Sequence, residues 1–296
     1  MKYFINRIYR GLNSPGSAQK YVWNKCLCYL GRRIHIPFLV IITGQKCTLR
    51  CKDCGNFSPL LPQTYYDINS ICTDFHKLAS VAFISSIQIQ GGEALIYPNL
   101  PDLIDCVSRG AGAITIATNG TKLLSPEQVK SIISVNARIR ISDYNLPTQK
   151  GSELMVQCAE NNISSFIYKF SGGSGDWLEL GDRTVARSSD LEVAKTFSTC
   201  PFKNCLTLEN GIIARCSRAT VSHQIQPFSP SESDFIPVRE MDTARLRNRL
   251  IDYLRHPIPM EACRYCRGSN GPIIPPAIQM NPNNGPHTTA HKVGRV

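Results

Sequence analysis

The stretch Phe38-Leu-Val-Ile-Ile-Thr-Gly-Gln-Lys-Cys47-Thr-Leu-Arg-Cys51-Lys-Asp-Cys54 places an apolar run of strand length directly before three cysteines. Five apolar residues stopped by Thr43, Gly44 and Gln45 suit a buried strand and are far too few to cross a membrane. The three thiols then fall in a loop at the C-terminal end of that strand. Three soft ligands at this spacing can cap three corners of a [4Fe–4S] cube and leave the fourth iron open to another ligand. A zinc ion would want a fourth residue nearby, and neither His35 nor His76 is well placed along the chain to supply one.

Outward from this loop, apolar runs recur at 84–90, 113–118, 137–141 and 163–168, separated by stretches with helical spacing at 100–107, 125–135 and 152–161. Strand and helix alternate, which predicts an α/β fold with a parallel sheet or barrel and its working loops at the C-terminal ends of the strands. From about Cys200 the pattern changes. Leu206-Thr-Leu and Ile212-Ile-Ala flank Asn210-Gly211, a strong hairpin signal, and a charged helix is expected over 242–255.

The net charge of +11 is concentrated at the ends: seven Lys and Arg without an acid in residues 1–36, and Arg267, Lys292 and Arg295 without an acid after 266. A nearly neutral body argues against a nucleic-acid groove, so no nucleic-acid partner is expected. The start of the chain lacks the long apolar stretch and cleavage site of a secretory signal, so the expected setting is cytoplasmic, with no membrane span. Thirteen cysteines in such a setting point to metal or redox chemistry and make structural disulfides improbable.

The Cys47, Cys51, Cys54 spacing resembles the signature of the radical S-adenosylmethionine (SAM) superfamily, and other motifs of that family follow in order. Gly91-Gly92-Glu93 stands after the second predicted strand, where the family places the loop that holds the SAM amino group. Two glycines allow close backbone approach, and a carboxylate can pair with an ammonium. Ala117-Thr118-Asn119-Gly120 resembles the family's ribose-contacting strand end. Arg140-Ile-Ser142 closes the next strand, where relatives use a polar residue against the ribose or carboxylate of SAM. One departure is Asp53, at a position that is usually aromatic and that contacts adenine largely through its main chain. The resemblance covers roughly residues 37–170 and implies a partial (β/α)6 barrel, a SAM-binding [4Fe–4S] cluster, and an electron donor such as flavodoxin or ferredoxin. It further implies reductive cleavage of SAM and abstraction of a substrate hydrogen atom.

Cys200, Cys216, Cys263 and Cys266 form a second set around the hairpin, in an arrangement that resembles a SPASM-type domain. No cysteine follows Cys266, so the shorter Twitch version with one auxiliary [4Fe–4S] cluster fits better, and a four-cysteine zinc ribbon is the competing reading. Cys205 is a substitute ligand, an inert core thiol or a catalytic hydrogen-atom donor. The implied organisation is a basic extension over 1–36, a radical SAM core over 37–196, a small hairpin/helix Twitch-like domain over 197–282 and an unfolded tail over 283–296.

The compact architecture resembles radical SAM enzymes that oxidise or epimerise sugar carbons. It implies a dehydrogenase or epimerase of a carbohydrate, aminocyclitol or similar small molecule. Modification of a ribosomally made peptide is the alternative, with no recognisable peptide-clasping domain before residue 37. A non-catalytic iron–sulfur or zinc module is the alternative from another class, but it would have no use for Gly91-Gly92-Glu93, Asn119 or Ser142.

Overall fold

The computed structural model describes residues 17–170, 176–181, 186, 189–225 and 231–280. Its centre is β2 (Leu39–Ile42), whose four side chains are all buried. It is flanked on one side by β3 (Ala82–Gln90), β4 (Ala111–Thr118), β5 (Arg138–Asp143) and β6 (Ser165–Lys169), each parallel to the last. Burial on both faces explains why β2 reads as a continuous Val/Ile/Leu run without alternation. A short strand, β1 (Ile34–Ile36), also pairs with β3, and α1 (Ser17–Tyr29) precedes it, so part of the segment expected as a basic extension is built onto the sheet.

The crossovers are helices whose apolar stripe faces this sheet. In α2 (Ile68–Val81), Asp67 accepts from the Ser70 amide at 2.8 Å to cap the helix, and Ile71, Phe75 and Leu78 are buried at helical spacing. The helices α3 (Leu100–Ser108), α4 (Pro126–Ser134) and α5 (Gly151–Glu160) follow β3, β4 and β5. Ser125 and Gln128 close a capping box with Pro126 in the first turn of α4, as the Ser-Pro-Glu sequence predicts. After β6 comes α6 (Asp190–Thr199).

The predicted hairpin forms as β7 (Leu206–Glu209) and β8 (Ile212–Ala214), and Asn210 and Gly211 both have positive φ, as a tight hairpin turn demands. β7 pairs in parallel with β2, and β8 carries β9 (Phe235–Pro237) on its outer side. The hairpin therefore continues the core sheet. The order is β6-β5-β4-β3-β2-β7-β8-β9, an open sheet of parallel strands with an antiparallel edge, which is the expected partial barrel in unclosed form. The last α-helix among the described residues, α8 (Thr243–Arg255), follows a turn that is locked to α2: Lys77 Nζ donates to the carbonyls of Val238, Arg239 and Met241, and Arg239 pairs with buried Asp74 at 2.7 Å.

One expectation is corrected. Structural disulfides are expected to be improbable, yet Cys72 of α2 and Cys106 of α3 are joined, with 6.1 Å between their Cα atoms. The two helices pack side by side, and their spacing lies within the normal range for a bridge. Among the described residues no helix is long and apolar enough to cross a membrane. The tail expected over 283–296 lies outside the described residues.

Candidate functional site

Because β2 to β5 are parallel, their C-terminal ends share one edge of the sheet, and the loops leaving them meet there. They enclose a cavity of about 260 Å³. The loop after β2 brings Cys47, Cys51, Asp53 and Cys54 to its wall. Gly91 and Gly92 come from the end of β3, Thr118 and Asn119 from β4, and Arg140 and Ser142 from β5. Burial pushes the Cys47 thiol up to about 12 and that of Cys51 to about 11, and in both the neighbouring thiols push the same way. Main-chain and side-chain donors already point at these sulfurs: Leu49 N–H reaches Cys47 at 3.4 Å, Asn119 Nδ2 reaches Cys47 at 3.6 Å, and Gln279 Nε2 reaches Cys51 at 3.5 Å.

The glycine pair has a steric reason. A Cβ on Gly92 would stand 2.3 Å from the Lys46 carbonyl oxygen, and one on Gly91 would stand 2.5 Å from Thr43 Oγ1. The loop runs this close because Gly92 N–H donates to Gly44 O at 2.9 Å and Glu93 N–H to Lys46 O at 3.0 Å, which fastens it to the thiol loop.

Glu93 does not line the cavity. Its carboxylate is buried and accepts from the Asn119 amide at 2.7 Å and the Leu95 amide at 2.9 Å, and burial pushes its carboxyl up despite these donors. The carboxylate is thus held by the main chain of Asn119 and Leu95 and by the Thr118 side chain. What it fixes is Asn119, whose side chain donates to Thr48 Oγ1 at 2.9 Å as well as toward Cys47.

Two cavity groups lack a partner among the described residues. Asp53 Oδ2 and Trp177 Nε1 are both buried without a hydrogen bond, and both residues line the wall. One is an acceptor and the other a donor, so a polar ligand would satisfy both. The residues therefore fit a cluster at the thiols with a polar ligand beside it.

The second set lies outside this cavity. Cys200 ends α6, Cys216 follows β8, and Cys263 and Cys266 belong to the turn after α8. Burial pushes Cys216 up to about 12 and also raises Cys200 and Cys263. Cys200 is pushed further by Cys266, Cys216 by Cys266 and Cys200, and Cys263 by all three, so the four thiols share one neighbourhood. Among the described residues, no three Cys, His, Asp or Glu side chains are gathered around a single-ion position. Cys205 stands before β7 and is not part of the cavity wall, although Phe202 of the same turn is.

Sequence reading missed several contributors. Gln149 donates to Asn119 O at 2.6 Å and Ser142 O at 2.7 Å, and so staples two strand ends together. Tyr144, Phe170 and Trp177 form an aromatic wall with ring centres 5.2 to 5.5 Å apart. The segment around Gln279 runs antiparallel to Cys51, with Met280 N–H on Arg50 O at 2.8 Å. Only Tyr144 and Phe170 carried any signal, as bulky side chains just past the ends of β5 and β6.

No family model matches the chain. A curated GTP 3′,8-cyclase from Syntrophomonas wolfei is 26% identical over 139 residues, 46% of this chain and 42% of that protein. The sequence match supports the radical SAM superfamily. The match spans less than half of that relative's length. The crystal structure of BtrN in complex with S-adenosylmethionine and 2-DOIA shares the fold of this chain, with a TM-score of 0.51 and 12% identity over 79% of this chain and 94% of BtrN.

Proposed function

We propose that the chain is a radical SAM oxidoreductase acting on a small polar substrate of carbohydrate or aminocyclitol type. The observation that carries this reading is the convergence of Cys47, Cys51 and Cys54 with Gly91, Gly92, Asn119, Arg140 and Ser142 around one cavity. The three thiols would hold a [4Fe–4S] cluster, and the strand-end residues would hold SAM. Bound together, these groups supply one-electron cleavage of a sulfonium and removal of a substrate hydrogen atom.

The chain's own part is orientation and shielding. Arg140, whose guanidinium lies 4.6 Å over the Tyr168 ring, offers a charged fork suited to a carboxylate. Gln149 fixes the main chain at Asn119 and Ser142, and Glu93 fixes Asn119 from behind. Tyr144, Phe170 and Trp177 close one side with apolar surface, which keeps water from the reacting atoms. Asp176, also on the wall, adds a carboxylate that suits a hydroxyl or ammonium of the substrate.

Cys200, Cys216, Cys263 and Cys266 would hold a Twitch-type auxiliary cluster. Four thiolates leave it no open position, so it would accept the substrate electron in an oxidation. That role favours dehydrogenation, which needs no thiol donor, and the absence of Cys205 from the cavity wall agrees with it.

The test is anaerobic reconstitution with iron and sulfide, then dithionite and SAM. The expected result is about eight iron per chain and slow release of 5′-deoxyadenosine. About four iron with one zinc would make the second set a zinc site. No iron and no deoxyadenosine would end the radical SAM reading.

A further inference from the structure

The loop that carries Cys54 and the loop that carries Cys216 are joined residue by residue. Ser217 Oγ donates to Asn56 Oδ1 at 2.6 Å. The next residues along each loop, Phe57 and Arg218, stack, with the guanidinium 4.1 Å from the ring centre. One residue further, Ser58 Oγ donates to Gln45 Oε1 at 2.7 Å, and Gln45 Nε2 donates to Glu209, which also accepts from Thr220. Segment 56–58 is therefore fastened to the short helix α7 (Ser217–Thr220) by two direct links and a third that runs through Gln45 and Glu209 to Thr220. Arg218, Thr220, Ser58, Gln45 and Glu209 are all buried, so the fastening sits inside the protein and not on its surface.

Asn56 stands at the junction. Its Oδ1 holds the neighbour of Cys216, its Nδ2 donates to the Gly91 carbonyl at 3.3 Å, and it follows Cys54 by two residues. It also lines the cavity. One amide side chain thus touches the glycine loop, the cavity and the second thiol loop at once.

We propose that Asn56 and Ser217 couple ligand occupancy of the cavity to the second thiol set, with Asn56 as the positioning residue. This rests on the reading of the cavity as a SAM site. A ligand seated against Gly91 changes the geometry open to its carbonyl, and the Asn56 amide passes the change to Ser217 and Cys216. Coupling of this kind is reciprocal: whatever SAM does to the Cys216 loop, filling of the second set does to SAM affinity by the same factor. The consequence for the enzyme is that the electron acceptor is set in place when the cavity is filled.

The test is hydrogen exchange in the anaerobically reconstituted full chain, read over residues 216–220 with and without SAM. In the unchanged protein SAM slows exchange there. Ser217→Ala removes one hydroxyl outside the cavity, so it keeps its iron content and still binds SAM but loses the slowing; Ser217→Thr, which keeps a hydroxyl, restores it. Asn56→Asp keeps the acceptor for Ser217 and loses the donor to Gly91, and it too loses the slowing. In a second arm, Cys263→Ala with Cys266→Ala changes SAM affinity by about fivefold or more in the Ser217 protein and by less than twofold in Ser217→Ala. Slowing that persists in Ser217→Ala, or SAM binding with no slowing in the unchanged protein, overturns the coupling alone. A protein that binds iron but no SAM overturns the cavity reading and the coupling with it.

Discussion

The two cysteine sets differ in how they are built and in what surrounds them. Cys47, Cys51 and Cys54 come from one eight-residue stretch beside a cavity, with Leu49, Asn119 and Gln279 donating toward their sulfurs. Cys200, Cys216, Cys263 and Cys266 come from three separate parts of the chain, and the donors there include main-chain amides of their own turns, Phe202 and Lys203 at Cys200, Ala219 at Cys216 and Gly268 at Cys266 at 3.4 Å. Three thiols facing space leave room for a ligand; four thiols sharing one neighbourhood do not. The difference separates a site that would bind and cleave a substrate from one that would store an electron.

The sharpest way to break this comparison is to remove each set in turn. Changing Cys47, Cys51 and Cys54 to Ala should abolish 5′-deoxyadenosine formation and remove about half the iron. Changing Cys263 and Cys266 to Ala should leave deoxyadenosine formation within about tenfold of the unchanged protein while stopping substrate oxidation. Equal loss of SAM cleavage in both variants, read by chromatography, would show that the sets do not divide the work this way.

Next in size is Gly92→Ala. Its Cβ would meet the Lys46 main chain at 2.3 Å, and main chain cannot swing aside as a long side chain does. The overpacking costs about 1–3 kcal/mol, so SAM affinity should fall by roughly 10- to 100-fold. Iron bound at Cys47, Cys51 and Cys54 should remain. An unchanged dissociation constant for SAM would remove the glycine loop from the site.

How much of this was legible depends on the range over which each signal acts. The first thiol loop and the parallel strands were readable because ligand spacing and apolar runs are local. The Asn210-Gly211 turn was readable for the same reason. That β7 joins β2 was not, because hydrogen bonding between strands separated by more than 160 residues leaves no mark in either. Gln149, Asn56 and Gln279 are ordinary polar residues in sequence and acquire meaning only from the backbone groups they reach. Glu93 is the opposite case: its residue type suggests a partner for an ammonium, and the hydrogen bonds its carboxylate accepts from the amides of Leu95 and Asn119 leave no mark in the sequence.

Those hydrogen bonds give a smaller prediction on the cavity side. Glu93→Ala strips the acceptor from two buried amides, at about 1–3 kcal/mol for each unsatisfied group. Asn119 would lose its fixed position, and SAM affinity should fall by roughly tenfold together with a lower Tm. The Leu95 and Asn119 amides bond different oxygens of the carboxylate, so Glu93→Gln keeps one acceptor, sets its NH2 against the other amide, and should recover only part of both. A carboxylate that held the ammonium directly would instead give Gln a loss as large as Ala with no change in Tm, measured by titration and thermal unfolding.

The smallest effect is expected where the two regions meet. Glu209 is buried between them, accepting from Tyr66 at 2.8 Å and from Gln45 and Thr220, and none of these partners is a cation. Burial, opposed by those three donors, holds its carboxyl above the ordinary carboxylate range. A carboxyl raised in this way binds its proton more tightly in the folded chain than in the unfolded one. Its contribution to stability is then full below the unfolded value of about 4.3 and is lost as pH rises through the folded value. Glu209→Gln mimics the protonated form at every pH. Its Tm should therefore exceed that of the unchanged protein near pH 8, and the gap should narrow steadily as the pH is lowered toward about 5. Scanning calorimetry across that range reads the sign directly. A gap of the opposite sign that widens with pH would mean that Gln45, Tyr66 and Thr220 hold Glu209 ionised, and that the link between the two thiol sets is an anion rather than a neutral hydrogen-bonded hub.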